Sequence, residues 1–490
     1  MKYQSTRSDK LRCSSAQAIL QGLAPDGGLF VLPAGTRLPF DWQSALKMDT
    51  YSRAAQVISA LLPDFSPQEA LTMVRRAYEG RFSTPELTPL KMVGDIGVLE
   101  LFHGPTSAFK DVALCLLPQL MTAAAQKCGD QRQRLILTAT SGDTGKAAME
   151  GFKDVPGTRM IVFYPQSGVS TVQEAQMLTQ QGHNVKVCAV KGNFDDAQTG
   201  VKNIFAKLSD KLHLSSANSI NIGRLVPQVV YYFSAYASML EQGRISLGDK
   251  LDYVVPTGNF GDILAGYIAG EMGLPVGRLV CASNVNDVLT DFFATGCYDK
   301  RRPFHRSLSP SMDILVSSNL ERLLYFISGS SELVSSLMAQ LDRDGYYRLP
   351  KDLTRKLREK FFAACCDDAQ TIATIRQVWQ DHHYLMDTHT AVAWNVAEQY
   401  ARQNKDHAPL VVLSTASAYK FPGAVVEALG LDQPGDDIHA LELIEAHTGV
   451  AIPQNLRGLR QRPRLHFDSV DKSAMEDYVV EKAGEAQWHK

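Results

Sequence analysis

The stretch Leu135–Met149, LILTATSGDTGKAAM, contains the pattern that decides the fold. A short apolar run, Leu135–Thr138, leads into a glycine-containing loop, and a helical pattern of small residues follows that loop. The same order occurs at Tyr253–Val255, where the loop Thr257–Gly261 precedes a helical pattern that begins at Asp262. Strands that alternate with helices in this way predict an α/β fold, in which helices cover both faces of a parallel sheet.

Other parts of the chain repeat this alternation. Helical patterns over 195–207 and 262–272 separate further strand candidates, and the segment 332–377 predicts an outer layer that is mostly helix. Cys365 and Cys366 are expected on one helix of that segment. The additional runs that predict strands are Met160–Tyr164, Val185–Val190, Leu279–Ala282 and Leu410–Leu413.

Residues 1–93 have a different texture, in which helical patterns alternate with loops. Helices are predicted from about Thr50 to Leu62 and from about Pro67 to Glu79. Ser66 directly precedes the second helix, and Glu69 lies three positions after Ser66, which is the spacing of a capping box.

Composition excludes several classes of protein. The 490 residues carry a formal net charge of −2, with 45% hydrophobic and 21% charged residues, as in typical globular proteins. This balance argues against a nucleic-acid partner, which would require a basic face, but it permits a local phosphate site. No uninterrupted apolar run is long enough to span a membrane, and no apolar secretory segment is expected at the N-terminus.

The eight cysteines are scattered along the chain and form no C-x-x-C pair. Dense, regularly spaced cysteines are typical of small secreted domains with disulfide frameworks. The scattered pattern indicates reduced thiols, and we therefore expect a cytoplasmic protein.

Two glycine loops lie where a predicted strand meets a predicted helix. Glycine allows close approach of the backbone, and the free N–H groups of the first helical turn point at an anion, so each loop suits a phosphate or a carboxylate. The alternative for a single loop is an ordinary turn. A Walker A loop is rejected because Thr140 stands where the first glycine belongs and Ala147 follows Lys146. No G-x-G-x-x-G follows a predicted strand.

A lysine in an apolar setting gives a third candidate site. Lys110 ends the segment Leu101–Lys110 and is followed, after Asp111, by an apolar helical run. Burial there would lower the pKa of the amine, and a neutral amine can form a Schiff base with an aldehyde. Composition alone favours a surface lysine that pairs with Asp111, because most lysines are solvated.

The segment His103–Asp111 resembles the pyridoxal-phosphate lysine segment of threonine synthases. Further resemblances to this family occur in the same order along nearly the whole chain, and they indicate the longer microbial and fungal type with an N-terminal extension. The segments that carry them are Ser5–Arg7, Leu23–Val31, Thr140–Gly145, Asn218–Arg224 with Pro227 and Gln228, Thr257–Asp262 and Ser309–Asn319.

The resemblance implies a fold-type II pyridoxal-phosphate enzyme, similar to the β subunit of tryptophan synthase, with parallel or mixed sheets in two lobes. A mostly helical N-terminal extension over 1–93 is expected. Residues 94–130 and 225–490 would form a large cofactor-binding domain with a helical insertion around 332–377. Residues 131–224 would form a small domain that carries the substrate loop.

The implied activity is the conversion of O-phospho-L-homoserine and water to L-threonine and phosphate, the last step of threonine biosynthesis, with pyridoxal 5'-phosphate as cofactor. It proceeds by γ-elimination followed by β-addition of water. The partners expected are this small molecule, no nucleic acid and no membrane, in a monomer or homodimer. One alternative is a phospho-lyase that releases 2-oxobutanoate, ammonia and phosphate from the same substrate, as threonine synthase-like proteins do. A non-catalytic member that only binds ligands is a second.

Two departures keep the phospho-lyase alternative open. The family usually has His-Pro-Ala before Lys-Phe where this chain has Ser417-Ala418-Tyr419, and Pro where it has Thr388. Both segments border the site in family members. His382, His383 and His389 lie close together, but no cysteine or carboxylate spacing accompanies them, so no metal site is predicted.

The resemblance also implies a role for each site residue. Lys110 would hold the cofactor covalently and shuttle protons, and Thr415 would meet the pyridine nitrogen. The residues expected at the cofactor phosphate and beside the cofactor are Gly258, Asn259, Phe260, Gly261, Asp262 and Asp143. Those expected to hold the substrate carboxylate are Ser141, Gly142, Asp143 and Thr144, and those expected to hold the substrate phosphate are Asn218, Ser219 and Arg224.

Overall fold

The structure is a computed structural model that describes residues 1–140, 142–166, 169–485 and 488, without the side chains of 209 and 210. Its strands are β1 (Tyr3–Ser5), β2 (Ser8–Cys13), β3 (Phe30–Val31), β4 (Leu90–Val93), β5 (Ile96–Glu100), β6 (Arg134–Ala139), β7 (Thr158–Pro165), β8 (Val185–Lys191), β9 (Leu214–Ser215), β10 (Leu251–Pro256), β11 (Val276–Ser283), β12 (Cys297–Asp299), β13 (Tyr346–Arg348), β14 (Phe361–Cys365), β15 (Leu410–Ser414) and β16 (Asp468–Asp471).

The α-helices alternate with these strands over most of the chain. They are α1 (Ser15–Gln21), α2 (Trp42–Leu46), α3 (Thr50–Leu61), α4 (Pro67–Tyr78), α5 (Lys110–Lys127), α6 (Asp143–Phe152), α7 (Thr171–Leu178), α8 (Phe194–Leu212), α9 (Ile222–Glu241), α10 (Gly261–Glu271), α11 (Val288–Thr295), α12 (Leu320–Ser328), α13 (Ser331–Asp344), α14 (Lys351–Lys360), α15 (Asp368–His382), α16 (Thr388–Gln403), α17 (Pro422–Ala428), α18 (Asp437–Thr448) and α19 (Met475–Gly484). No helix within the described residues is both long and apolar enough to cross a membrane.

The larger sheet has six strands in the order β14-β11-β10-β15-β5-β4. All neighbours are parallel except β4, which pairs antiparallel with β5 at one edge. Every residue of β10 is buried, because helices cover both faces of the sheet. The mixed α/β architecture that the sequence predicts is therefore present.

The smaller sheet has five parallel strands in the order β16-β8-β7-β6-β9. Its edge strand β16 comes from the C-terminal part of the chain, and α19 packs beside it through Met475 and Val479. The sequence-based division placed all of 225–490 in the large domain. Strand β16 instead extends the smaller sheet, because its backbone pairs with the edge of β8 from Asp468 opposite Cys188 onward.

The N-terminal extension contains both helices and a small sheet. Strands β2, β1 and β3 form a three-stranded antiparallel sheet. The sequence predicted a mostly helical extension and did not predict this sheet. The predicted helices are present as α3 and α4. The predicted capping box is also formed, since the Ser66 hydroxyl accepts from the Glu69 amide at 3.3 Å and the Glu69 carboxylate accepts from the Ser66 amide at 2.8 Å.

The predicted helical layer over 332–377 is interrupted by a strand. Residues Phe361–Cys365 form β14 at the edge of the larger sheet, with Phe361 opposite Leu279. Placing Cys365 and Cys366 on one helix was therefore wrong. A five-residue apolar run has no period that separates helix from strand, and here the free edge of β11 decides the outcome.

Candidate active site

Lys110 lies at the start of α5, between two loops that follow strands β5 and β15. The amide of Phe109 donates to the Thr415 carbonyl at 2.8 Å, and the amide of Ser417 donates to the Ser107 carbonyl at 3.1 Å. Ser107 adopts a positive φ of 60°, which turns the chain sharply before the lysine. These contacts fix Lys110 at the carboxyl ends of the parallel strands, where ligands bind in such sheets.

The amine of Lys110 is half-buried and donates a hydrogen bond to the Ser311 hydroxyl at 3.2 Å. Burial lowers its pKa, Asp143 opposes that change, and the cations Arg224 and Lys420 reinforce it. Asp111 does not form an ion pair with Lys110 among the described side chains. Its carboxylate accepts hydrogen bonds from the amide and hydroxyl of the nearby Thr106.

The loop over 258–261 connects β10 to α10 and leaves its amides unused. None of these four N–H groups donates a hydrogen bond within the described part of the chain. Phe260 has a positive φ of 64°, and its ring packs on Phe293 and Phe361, away from the loop surface. Free amides at a helix start attract an anion, so the backbone of this loop can hold a phosphate.

The segment Ser309–Asn319 lies against that loop. A Cβ on Gly258 would lie only 2.6 Å from the Ser311 carbonyl oxygen, so glycine is required for this close approach. The Ser317 hydroxyl donates to the Gly258 carbonyl at 2.7 Å, and the Asn319 side chain donates to the carbonyl of Asn259 at 3.1 Å. Ser311 thus contacts both the lysine amine and the phosphate-type loop.

Asp262 is the second residue of α10 and is buried without a cation partner among the described residues. Its Oδ1 accepts from the hydroxyls of Tyr231 at 2.5 Å and Tyr232 at 3.1 Å, while Oδ2 has no hydrogen-bond partner among the described residues. Burial raises the pKa of this carboxyl to about 7. A buried carboxyl with one free oxygen can accept or donate a hydrogen bond to a ligand at the start of this helix.

The second glycine loop connects β6 to α6. Thr140 organises it, because its hydroxyl accepts from the amides of Gly142 and Gly145, each at 3.0 Å. The amides of Asp143 and Thr144 begin the helix and donate no hydrogen bond within the described residues. This loop therefore offers a second set of free amides for an anion.

Asp143 is buried beside these amides, whereas Ser141 lies outside the described residues. Oδ1 of Asp143 lies 2.9 Å from the ammonium of Lys420 and accepts a hydrogen bond from the Gln173 side chain at 3.1 Å. Burial raises the pKa of Asp143, but Lys420 and then Lys110 outweigh burial and hold it well below its usual value. Lys420 is remote from Asp143 in the chain, and no role at the site was predicted for it from the sequence.

Arg224 lies in α9 and is buried without any carboxylate partner among the described residues. One nitrogen, Nη1, donates to the Ala217 carbonyl at 2.6 Å, and Nε has no partner. Burial lowers its pKa to about 10, so the guanidinium stays charged near neutral pH. The exposed Asn218 accepts a hydrogen bond from the Ser219 hydroxyl at 3.2 Å, close to Arg224 in the chain.

His389 and Asp387 are connected to the site by hydrogen bonds that lead to Ser311. The Ser311 amide donates to Nε2 of His389 at 3.1 Å, and Nδ1 of His389 lies 2.7 Å from the Asp387 carboxylate. Because Nε2 accepts, the proton belongs on Nδ1, where it is donated to Asp387. In the sequence, His389 was noted only as one of three neighbouring histidines and Ser311 only as part of the segment Ser309–Asn319, and no contact was predicted for either. Within the described residues, no group of three His, Cys, Asp or Glu side chains could hold a metal ion.

The two departures from the family pattern occupy defined positions. Thr388 is the first residue of α16, a position that accepts proline as readily as threonine. The Tyr419 hydroxyl donates to the Val450 carbonyl, and its side chain packs in an apolar cluster with Leu441. Neither departure places a bulky side chain against Lys110 within the described residues.

Three family models match the chain. The model described as pyridoxal-phosphate dependent enzyme covers residues 92–416. The models described as threonine synthase N terminus and threonine synthase, C-terminal, cover residues 2–78 and 390–479. Together they span most of the chain.

Individual relatives agree. The threonine synthase of Schizosaccharomyces pombe is 39% identical over 463 residues, which are 88% of this chain and 89% of that protein. Threonine synthase-like 1 of Pongo abelii is also 39% identical, over 85% of this chain, but the match spans only 58% of its length. The solved structure of pyridoxal-phosphate-bound threonine synthase from Brucella melitensis has a TM-score of 0.87 and 37% identity, and covers 99% of this chain and 100% of that one.

These matches confirm the predicted family, the fold-type II architecture and the dependence on pyridoxal phosphate. They also confirm the prediction of an enzyme of the threonine synthase type that acts on a small-molecule substrate. The chain belongs to the threonine synthase family of pyridoxal-phosphate-dependent enzymes.

Proposed function

We propose that the protein converts O-phospho-L-homoserine and water to L-threonine and phosphate, the last step of threonine biosynthesis. The observation that carries this proposal is the buried guanidinium of Arg224, which acts on Lys110 and has no carboxylate partner among the described residues. A charged arginine without an internal acid needs an anion from outside, and its planar fork matches phosphate oxygens. A substrate with a phosphate on its side chain supplies that anion.

The residues of the larger lobe fit the cofactor. The four unused amides over 258–261 would hold its phosphate, and Asp262 lies at the same helix start with a free oxygen. Lys110 would hold the cofactor covalently through its amine, and Thr415 would meet the pyridine nitrogen as a neutral hydroxyl. When bound, pyridoxal phosphate supplies the electron sink for charge at the substrate carbons, while the protein supplies placement and electrostatics.

The substrate would be held at both ends. Its carboxylate suits the free amides of Asp143 and Thr144 at the start of α6, with Ser141 and Gly142 in the same loop. Its phosphate suits Arg224, with Asn218 and Ser219 as neutral donors. Holding both anions orients the carbon atoms between them and stabilises the phosphate as it leaves.

Lys110 would move the protons. Its amine is half-buried with a lowered pKa, so a neutral form is accessible to take the proton from Cα of the substrate. The Ser311 hydroxyl accepts a hydrogen bond from that amine and would orient its lone pair toward the substrate. The same amine would then return protons to the substrate carbons before threonine leaves.

The phospho-lyase reaction is the second candidate function. It is kept open by the Ser417–Tyr419 departure and by the relative named threonine synthase-like 1. Incubating the protein with O-phosphohomoserine and measuring threonine, 2-oxobutanoate, ammonia and phosphate separates the two. We expect threonine and phosphate in equal amounts, and no product from Lys110→Ala. Mostly 2-oxobutanoate and ammonia would reverse the choice.

We also propose a cytoplasmic location and a monomer or homodimer that binds neither nucleic acid nor membranes. All eight cysteines are free thiols in the structure, which suits a reducing compartment. Light scattering after gel filtration tests the assembly, and a larger oligomer would contradict it. Fractionation of cells tests the location.

A further inference from the structure

Lys420 is a fully buried cation that has one carboxylate partner in the described part of the chain. Its side chain is 0% exposed, and its ammonium lies 2.9 Å from Oδ1 of Asp143 and donates to the Gln176 side chain at 2.7 Å. Gln173 donates to the same Asp143 oxygen. The two charged groups of the cluster thus contact each other and one glutamine each, which favours a single geometry for the ion pair, while Nε2 of Gln176 has no hydrogen-bond partner among the described residues.

The ion pair joins the two lobes. Lys420 follows β15 of the larger sheet, in the same loop as Thr415, whereas Asp143 begins the helix after β6 of the smaller sheet. The two glutamines lie on α7, which also belongs to the smaller lobe. The cluster therefore fixes the substrate loop of one lobe against the lysine-bearing part of the other.

Several other charges face this cluster from the surrounding helices. Lys110 and Asp111 approach from α5, Lys146 from α6 and Arg224 from α9. Lys146 has its own carboxylate partner, since its ammonium lies 3.6 Å from Glu150. Asp143 is the acid that forms the ion pair with Lys420, and it acts more strongly on Lys110 than Asp111 does.

We propose that Lys420 is a positioning residue that fixes the Asp143 carboxylate in place and balances its charge beside the nitrogen of Lys110. The proposal rests on the proposed cofactor site at Lys110. With Lys420 present, the ion pair is neutral overall and exerts a weak field on that nitrogen. Without it, an uncompensated buried carboxylate would face the nitrogen directly.

The direction of the resulting change follows from the charges. Loss of the Lys420 cation leaves Asp143 to attract the proton on the Lys110 nitrogen, so the pKa of that nitrogen rises. Loss of the Asp143 charge leaves the cation alone, so the pKa falls. Removing both restores a neutral surrounding and returns the pKa toward the wild-type value.

The experiment follows the visible absorbance band of the bound cofactor against pH in purified holoenzyme. We expect Lys420→Met to raise the midpoint by about one pH unit or more, and Asp143→Asn to lower it. The double variant Lys420→Met/Asp143→Asn should lie closer to the wild type than either single variant. Lys420→Arg keeps the charge and should stay near the wild type.

Kinetics provide a second readout. Misplacing the substrate loop should lower kcat/KM for O-phosphohomoserine by about 100-fold in Lys420→Met and much less in Lys420→Arg. Lys146→Met is the matched control, because it removes a neighbouring half-buried lysine that has its own partner, Glu150. It should leave the midpoint unchanged.

An unchanged midpoint in Lys420→Met, or equal losses in the Met and Arg variants, would reduce Lys420 to a packing role and overturn the proposal. If Lys420→Met does not fold, the midpoints of Asp143→Asn and Lys420→Arg still test it: an unmoved midpoint in Asp143→Asn refutes the charge balance. Failure of the underlying function looks different. A wild-type protein without a visible band refutes the cofactor site, and a band without threonine formation refutes the reaction alone.

Discussion

The Ser311 amide donates to Nε2 of His389 at 3.1 Å, while the Ser311 hydroxyl accepts from the Lys110 amine at 3.2 Å. Ser311 is thus held by a buried histidine and in turn contacts Lys110, the lysine proposed to hold the cofactor. His389 is itself fixed by the carboxylate of Asp387, at 2.7 Å. The segment around Ser311 also covers the loop over 258–261, because the Ser311 carbonyl oxygen lies close to Gly258.

Substituting His389 by alanine should release Ser311, and with it the position of the Lys110 amine and of the loop over 258–261. The Ser311 amide loses its acceptor inside the protein, which costs about 1 to 3 kcal/mol. We therefore expect cofactor affinity to fall by about tenfold or more, measured by titrating the apoprotein with pyridoxal phosphate and following the visible band. His439→Ala, on an exposed position of α18, is the control and should match the wild type. Equal affinities of the two variants would contradict the role given to His389.

Gly258→Ala tests the close approach of the loop over 258–261 to the segment Ser309–Asn319. The added Cβ would lie 2.6 Å from a backbone carbonyl, that of Ser311, which cannot move without the segment that carries it. We expect a folded protein whose cofactor affinity falls by about tenfold or more. Gly435→Ala adds the same methyl group where nothing lies within 4 Å, and it should bind the cofactor normally. Normal binding by Gly258→Ala would show that the loop tolerates displacement.

Local sequence patterns were sufficient for the elements that carry the site. The runs before Thr140 and Thr257 form β6 and β10, and the two glycine loops end at helix starts, as predicted. Such elements are specified locally, because an apolar run and a glycine turn need no distant partner to be recognised. The strand β14 was missed because its pairing with β11 decides a run that suits either state.

The side-chain partners could not be predicted in the same way. Lys420 compensates Asp143, and His389 holds Ser311, across long separations in the chain. No spacing rule relates such residues, since only the packing of one lobe on the other brings them together. Nothing in the sequence around Asp143 identifies the cation that compensates its charge.

Asp262 should make the apoprotein less stable as pH rises. Burial raises the pKa of this carboxyl to about 7, whereas in the unfolded chain it is about 4, so the folded state binds more protons between these values. Stability therefore falls as pH increases from about 4 to about 7, by up to roughly 4 kcal/mol from this group. Urea denaturation of the wild type and Asp262→Asn at pH 5 and pH 8 isolates the effect.

At pH 5 the two apoproteins should differ little in their free energy of unfolding, because the wild-type carboxyl is protonated and resembles the amide. At pH 8 Asp262→Asn should be the more stable of the two. A difference that does not change between pH 5 and pH 8 would mean that the carboxyl is already ionised in the folded protein at pH 5.

Arg224→Met should separate substrate binding from stability. The guanidinium has no acid partner within the residues that the structure describes, so its removal breaks no ion pair there and relieves a buried charge. We expect the free energy of unfolding to stay level or rise, while the KM for O-phosphohomoserine increases about 30-fold or more, equivalent to about 2 kcal/mol. Cofactor affinity should change little. Arg224→Lys keeps the charge but loses the planar fork, so its KM should lie between the two. If substrate and cofactor binding weaken equally, Arg224 supports the whole site and does not recognise the substrate phosphate.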